Sequence, residues 1–164
     1  MSKFAVIALG SNLGDRKNFL EFALEKIFEK CDVIKVSSIY ESKPWGYANQ
    51  GDFLNAAICV STKLSPEELL DFLKSIEKDS GRIKTIINGP RTLDLDIIFY
   101  EDFECTTDAL TLPHPKWNER DFVISPLWDL LEEKNSLALK KYFEMLLVYP
   151  KTLSKNSEFE RTLK

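Results

Sequence analysis

Apolar residues recur at every second position, or in short unbroken runs, in four parts of this chain. Such patterns are typical of half-buried and fully buried β-strands. Each run ends near glycine, proline or small polar residues, where a strand commonly gives way to a turn or loop. The pattern therefore predicts strands at residues 4–9, 33–40, 53–62 and 93–100.

Between these strands, apolar residues recur at helical spacing. Asp15 is a typical N-cap, and the apolar stripe that follows it predicts a helix to about Lys30. Ser65 and Glu68 have the spacing of a capping box, and Gly81 is a typical residue just beyond a helix end. A second helix is therefore expected between Ser65 and Gly81.

The predicted order is strand–helix–strand–strand–helix–strand. This is the ferredoxin-like βαββαβ arrangement, an α+β sandwich in which an antiparallel sheet carries both helices on one face. Beyond it we expect an additional strand near Leu110 and helices near residues 126–133 and 137–147. We expect a single domain over residues 1–164, with 151–164 as a frayed polar tail.

Composition and charge exclude several classes of protein. The 164 residues are 44% hydrophobic and 29% charged, which is ordinary for a globular domain. A net charge of −4 argues against a nucleic-acid partner. No segment approaches the roughly 20 apolar residues of a membrane span. The three cysteines cannot all pair, so we expect reduced thiols in a cytoplasmic protein.

Two aspartates, Asp94 and Asp96, stand two residues apart within the last predicted strand. Strand geometry places both carboxylates on one face, with Cα atoms roughly 6.5–7 Å apart. That spacing suits a pair of divalent cations, and Arg91 precedes the pair where it could meet an anion. Together these groups favour phosphoryl transfer. An Asp-x-Asp strand can also be merely the solvated face of an antiparallel sheet.

Other candidate residues are weaker alone. Phe53 and Asn55 share a strand face and could hold a flat heteroaromatic ring, or they could be a core ring and a backbone cap. Arg82 and Lys84 add cations to the loop beside the aspartates, either for phosphate contact or as a solvated cluster. His114 is the lone histidine, between two prolines, and such a residue is more often a packing residue than a catalyst.

Several motifs of this chain occur in the same order in one known family. Through these motifs the chain closely resembles the 6-hydroxymethyl-7,8-dihydropterin pyrophosphokinases of folate biosynthesis, over about residues 4–131. The Gly-Pro-Arg-Thr-Leu-Asp-Leu-Asp block is the most specific of them. The motifs are Gly10-Ser11-Asn12, Asp52-Phe53-Leu54-Asn55, the block from Gly89 to Ile97, Pro113-His114-Pro115, Glu119-Arg120 and Phe122.

The resemblance implies an activity and its cofactors. Diphosphate would pass from ATP to the hydroxymethyl oxygen of the pterin, and AMP would leave. Two Mg²⁺ ions would be held by Asp94 and Asp96, while Arg82 and Arg91 would be catalytic. ATP and the pterin are then the expected small-molecule partners of a monomer, with no nucleic acid and no membrane.

The resemblance also implies two sets of binding residues. Residues 43–51 and 82–90 would be lids that exclude water from the reaction. Phe53 and Phe122 would enclose the pterin ring. The expected pterin-binding residues are Ser42, Trp45, Phe53, Asn55 and Phe122. The expected ATP-binding residues are Lys74, Glu77, Lys84, Arg91, Ile97, Thr111, His114 and Arg120.

This chain departs from the family pattern in the second of these loops. Relatives often have Arg-Trp where Ile87 and Asn88 stand, and an arginine in place of Lys84, which lacks the bidentate fork. The fold alone would also suit a metabolite-sensing module without catalysis, or an RNA-binding sheet. The aspartate pair with Arg91 favours the enzyme over the sensor, and the acidic charge speaks against RNA.

Overall fold

An antiparallel sheet organises the fold in the computed structural model, which describes residues 1–83, 86–132, 135–157 and 159. A second, separate sheet consists of two short strands. The strands are β1 (Lys3–Ser11), β2 (Asp32–Val36), β3 (Ile39–Ser42), β4 (Phe53–Thr62), β5 (Asp94–Tyr100), β6 (Cys105–Thr106), β7 (Thr111–Leu112) and β8 (Lys155–Ser157). The helices are α1 (Arg16–Phe28), α2 (Pro66–Asp79), α3 (Asp121–Leu130) and α4 (Leu137–Leu146), with a 3-10 turn at Trp117–Glu119.

The strand order of the main sheet is β5-β1-β4-β3-β8, and β2 also pairs with β4. β1 is antiparallel to both of its neighbours, β4 and β5. This order and direction are those of the ferredoxin-like arrangement, so the predicted fold class is confirmed.

Both predicted helix starts are present. The Asp15 carboxylate accepts a hydrogen bond from Asn18 N at 3.2 Å and caps α1. At α2, Glu68 N donates to Ser65 Oγ at 3.1 Å and Ser65 N donates to Glu68 Oε1 at 3.0 Å, which is the reciprocal capping box.

Helices pack on both faces of the sheet. The apolar stripes of α1 and α2 pack on one face and form a first core with alternate residues of the strands. α3 and α4 cover part of the other face and form a second core, which includes Val6, Ala57 and Phe99. The expectation that α1 and α2 share one face is met, and the C-terminal helices account for the second layer.

The prediction of one continuous strand at residues 33–40 is wrong, because the segment is divided between β2 and β3. Between them, Ser37 N donates to Ala57 O at 2.9 Å, but Ala57 N donates to Ser37 Oγ at 2.8 Å. The serine hydroxyl thus takes the place of a backbone carbonyl, which interrupts the ladder without leaving Ala57 N unpaired.

The alternation predicted for residues 93–100 fails at its end. The register between β1 and β5 shifts between Val6 and Ile7, which leaves Ile98 as an extra residue on β5. Ile98 and Phe99 therefore both lie in the second core, and Tyr100 returns to the first. The sequence pattern had placed Phe99 with Ile97 on the opposite face.

The C-terminal part also differs from expectation. The helix predicted near residues 126–133 begins at Asp121, because Val123 N and Ile124 N already bond to Arg120 O at 3.0 Å. The expected strand near Leu110 is β7, paired with β6. The expected frayed tail differs from the structure at Lys155–Ser157, which form β8 on the edge of β3.

Within the described ranges, we find no helix with the length and apolar character that a membrane crossing requires. Cys31 and Cys59 are buried, Cys105 is half-buried, and none of the three is in a disulfide.

Candidate functional site

The floor of the site is the part of the sheet's second face that lies beyond the second core. Asn55 of β4, Gly10 of β1 and Asp94 of β5 are aligned in register across three strands. In the next row, Ala8 lies between Ala57 and Asp96. Glycine and alanine in the middle strand leave space above the sheet, flanked by carboxylates on one side and an amide on the other.

A cavity of about 230 Å³ lies over this floor. Both aspartates line it, so they share one face as the strand period predicted. All five residues expected to bind the pterin line it as well, and three of those expected to bind ATP. Those three are Arg91, His114 and Arg120.

A second cavity of about 440 Å³ adjoins the first, between α2 and residues 82–83 and 86–91. Lys74, Glu77 and Arg82 line it, together with Lys78. Arg91 borders both cavities, so its side chain lies where an elongated ligand could pass from one to the other.

Among the expected ATP-binding residues that the structure describes, two are not brought into either cavity, Ile97 and Thr111. The Ile97 side chain is buried in the first core, on the opposite face from the aspartates. Thr111 lies on β7, paired with Thr106. Lys84 lies outside the described residues. A role for Ile97 at the site is therefore restricted to its backbone.

Two arginines contact Asp94, the first acid of the pair. Arg82 Nη1 lies 3.1 Å from Asp94 Oδ1, and Arg91 Nε lies 3.7 Å from Asp94 Oδ2. Arg82 also lies 2.7 Å from Glu77 Oε2, and Leu95 N donates to the same carboxylate oxygen at 2.8 Å. These contacts join two acids, Glu77 and Asp94, and two arginines into one connected cluster.

Burial and repulsion from nearby carboxylates disfavour negative charge on Asp96 and Glu77. Burial raises the pKa of Asp96, and the nearby carboxylates of Asp94 and Glu77 raise it further, against the opposing effect of Arg120 and Arg91. Burial also raises the pKa of Glu77, although the Leu95 hydrogen bond and Arg82 oppose it. A site of this kind binds cations favourably, because added positive charge relieves the repulsion.

Two guanidinium groups cover the aromatic side chains of the first cavity. Arg91 Cζ lies 5.0 Å from the Phe53 ring centroid, and Arg120 Cζ lies 4.5 Å from that of Trp45 and 5.7 Å from that of Phe122. The Nε atoms of both arginines are buried without a hydrogen-bond partner among the described residues. These donors are therefore available to an anion.

The Asn55 amide has a defined orientation. Its nitrogen donates to Ser42 Oγ at 2.8 Å and to Tyr40 O at 3.3 Å, so its oxygen is the atom that remains for a ligand. His114 is also fixed, because Lys116 N donates to its Nδ1 at 3.1 Å and leaves the proton on Nε2. Burial, assisted by Arg120, lowers the pKa of His114 to about 4, so it is neutral at pH 7.

A junction between the loops was not predicted from sequence. Asn12 Oδ1 accepts from Arg91 N at 2.9 Å, and Asn12 Nδ2 donates to Gln50 Oε1 at 2.7 Å. Gln50 Nε2 in turn donates to Asn88 O at 2.6 Å. Gly46 has φ +85, and a Cβ there would lie 2.7 Å from Asn88 Nδ2, so glycine is needed where the loops touch. Asn12 belongs to one of the family motifs but had no assigned role, and Gln50 carried no sequence signal of its own.

Comparison with known proteins identifies the family. A family model described as 7,8-dihydro-6-hydroxymethylpterin-pyrophosphokinase (HPPK) matches residues 6–132. The chain is 44% identical over 124 residues to the 2-amino-4-hydroxy-6-hydroxymethyldihydropteridine pyrophosphokinase of Aquifex aeolicus, covering 76% of this chain and 78% of that protein. It is 43% identical over 135 residues to the Bacillus subtilis protein of the same name, covering 81% of each.

Longer proteins match over part of their length. The chain is 49% identical over 128 residues to the mitochondrial folate synthesis bifunctional protein of Pisum sativum, covering 77% of this chain but 25% of that protein. Among solved structures, Plasmodium falciparum HPPK-DHPS A437G matches with a TM-score of 0.64 and 15% identity, covering 89% of this chain and 45% of that one. At that identity the structural match supports the fold alone.

Proposed function

This chain belongs to the 7,8-dihydro-6-hydroxymethylpterin-pyrophosphokinase family, and we propose that its two adjoining cavities bind the pterin and ATP. It is a pyrophosphokinase of folate synthesis, with ATP and the pterin alcohol as substrates. The metabolite-sensing and RNA-binding alternatives thereby lose their support. The other activities of the longer bifunctional relatives are not extended to this chain.

The proposed pterin site is the first cavity. Phe53 and Phe122 provide aromatic faces, and the fixed Asn55 oxygen provides an acceptor for an N–H group on the edge of the ring. The stacked guanidinium groups of Arg91 and Arg120 would move aside when the ring enters, because a flat heteroaromatic ring requires the same faces.

The proposed ATP site extends from the second cavity towards Asp94. Lys74, Arg82 and Arg91 supply positive charge along this path. The Nε atoms of Arg91 and Arg120, which have no hydrogen-bond partner among the described residues, supply buried donors. In such a site the residues act mainly by positioning the phosphates and by stabilising charge in the transition state. His114, neutral at pH 7, can donate a hydrogen bond from Nε2 but cannot contribute a charge.

The donor set fits Mg²⁺. Asp94 and Asp96 present hard carboxylate oxygens to one cavity, and no cluster of three or more potential metal ligands was found among the described residues. Magnesium is usually held by one or two carboxylates together with water and substrate phosphates, so a pair is sufficient. When bound, Mg²⁺ neutralises phosphate charge; we propose two ions, as the resemblance implies.

The observation that carries this proposal is the convergence of Asp94, Asp96 and Arg91 with the aromatic and amide residues in one cavity. The test is to incubate the protein with Mg²⁺, ATP and the reduced hydroxymethylpterin and to identify the nucleotide product. We expect AMP, and ADP would indicate an ordinary kinase instead. Asp96→Ala should abolish turnover, whereas Asp71→Ala, on the exposed side of α2, should not.

The location and oligomeric state stay predictions. We propose a cytoplasmic monomer, as expected from the sequence, and size-exclusion chromatography with light scattering would test the monomer.

A further inference from the structure

Arg82 lies against both an acid of the proposed metal pair and an acid of α2. Its Nη1 atom is 3.1 Å from Asp94 Oδ1 and 2.7 Å from Glu77 Oε2, and it donates to Leu93 O at 3.2 Å. The other oxygen of Asp94 faces Arg91 at 3.7 Å. Each oxygen of Asp94 is thus close to a guanidinium group.

The end of α2 places Arg82 in this position. Gly81 has φ +86, Gly81 N donates to Lys78 O at 3.0 Å, and Arg82 N donates to Glu77 O at 3.3 Å. This is a Schellman motif, which turns the chain back over the last helical turn. Because the backbone of Arg82 is hydrogen-bonded to that of Glu77, the side chains of the two residues branch from neighbouring positions.

The contact lies in a partly desolvated setting, where charge interactions are stronger than at a free surface. The exposed fractions of the side chains are 29% for Arg82, 11% for Glu77 and 27% for Asp94. A divalent cation brought to Asp94 would repel the guanidinium group that is already there. The two positive groups therefore cannot both bind Asp94 at full strength.

We propose that Glu77 is a positioning residue that holds Arg82 on Asp94, so that Arg82 and a divalent cation compete for that carboxylate. Binding of the cation releases Arg82, which then becomes free to contact phosphate. This inference rests on the proposed function, because it takes Asp94 as a cation ligand. By linkage, the factor by which the cation weakens the Arg82 contact equals the factor by which Arg82 weakens cation binding.

Limited trypsin digestion tests the release. Cleavage after Arg82 requires its side chain to leave Glu77 and Asp94 and enter the protease. Mg²⁺ without nucleotide should raise the cleavage rate after Arg82 about fivefold or more, the lower end of typical couplings. Cleavage after Arg16, an arginine held by Glu41 at 2.6 Å, should not change. Glu77→Gln should raise cleavage after Arg82 before any cation is added and should reduce the effect of Mg²⁺.

Cation affinity tests the reciprocal effect. Binding of Mn²⁺ alone, followed by electron paramagnetic resonance, should be about fivefold tighter in Arg82→Ala than in the parent protein. Lys78→Ala removes a cation from the same cavity without a contact to Asp94, and its effect should be clearly smaller.

The outcomes separate this inference from the function on which it rests. If Asp94→Asn leaves Mn²⁺ affinity unchanged, Asp94 is not a ligand, and the proposed metal site and this inference both fail. If Asp94→Asn weakens binding while Arg82→Ala does not tighten it and Mg²⁺ does not alter cleavage after Arg82, the inference alone is overturned.

Discussion

Asp96→Asn should stabilise the folded protein in the absence of divalent cations, although it should abolish turnover. Asp96 borders the cavity beside Asp94 and Glu77, and burial with these neighbours raises its pKa to about 7 from an ordinary value of 3.8. An amide of the same shape carries no charge and escapes both the desolvation and the repulsion.

The sign and size follow from linkage. Between about pH 4 and pH 7, the unfolded chain loses the Asp96 proton while the folded protein retains it, so ionisation progressively favours unfolding. At 1.36 kcal/mol per pH unit, the full difference between the unfolded and folded pKa values of Asp96 sets an upper limit of about 4 kcal/mol on the stability lost through its ionisation. Because the carboxylates share their repulsion and the cavity admits water, we expect about 2 kcal/mol above pH 7 and little at pH 4.

Urea unfolding in EDTA at several pH values between 4 and 8 measures this effect. The free energy of unfolding of Asp96→Asn should exceed that of the parent protein by an amount that grows from pH 4 to pH 7 and then levels off. Asp71→Asn, on the exposed side of α2, is the matched control and should show no such rise. A gain independent of pH, or a loss of stability at pH 8, would refute the reasoning.

Three further substitutions test the packing around the site. Ser11→Ala should raise the free energy of unfolding by about 1 kcal/mol, since Ser11 Oγ is buried without a hydrogen-bond partner in the described part of the chain. A lower free energy of unfolding, measured in urea, would contradict this. Tyr142→Phe should lower the free energy of unfolding by about 1 kcal/mol, because the substitution removes the 2.8 Å hydrogen bond to Tyr100 O but keeps the ring stacked on Phe99. An unchanged urea midpoint would count against this prediction. Gly10→Ala should weaken pterin binding about tenfold without changing stability, because the added methyl group would lie 3.6 Å from Asn55 Oδ1 on the cavity floor. Calorimetry measures this affinity, and an unaltered value would place the pterin elsewhere.

The parts of the molecule that the sequence predicted correctly depend on local rules. The capping box at Ser65 and the cap at Asp15 follow from residues three positions apart. The common face of Asp94 and Asp96 follows from the strand period, and the order of elements then determines the ferredoxin-like sheet. Such features need no knowledge of distant neighbours.

The features that were missed depend on contacts between distant segments. The bulge at Ile98 appears only through the register with β1, and the break at Ser37 only through its bonds to Ala57. Asn12 and Arg91 are 79 positions apart, and nothing local to either predicts their hydrogen bond. The pairing of Arg82 with Asp94 likewise depends on how α2 and β5 lie together.

The site and the second core share one face of the same strands, which explains how buried acids are tolerated. Along β1, Val6 lies in the second core, Ala8 packs at its edge, and Gly10 lies under the cavity, so the side chains become smaller towards the site. α3 covers the larger residues and begins just after Arg120, at the border of the cavity. Apolar burial under the helices therefore offsets the cost of placing Asp96 in partly dehydrated surroundings. Larger residues at the small positions would extend the core and close the cavity, so the space that the substrates require is maintained at the expense of additional apolar packing.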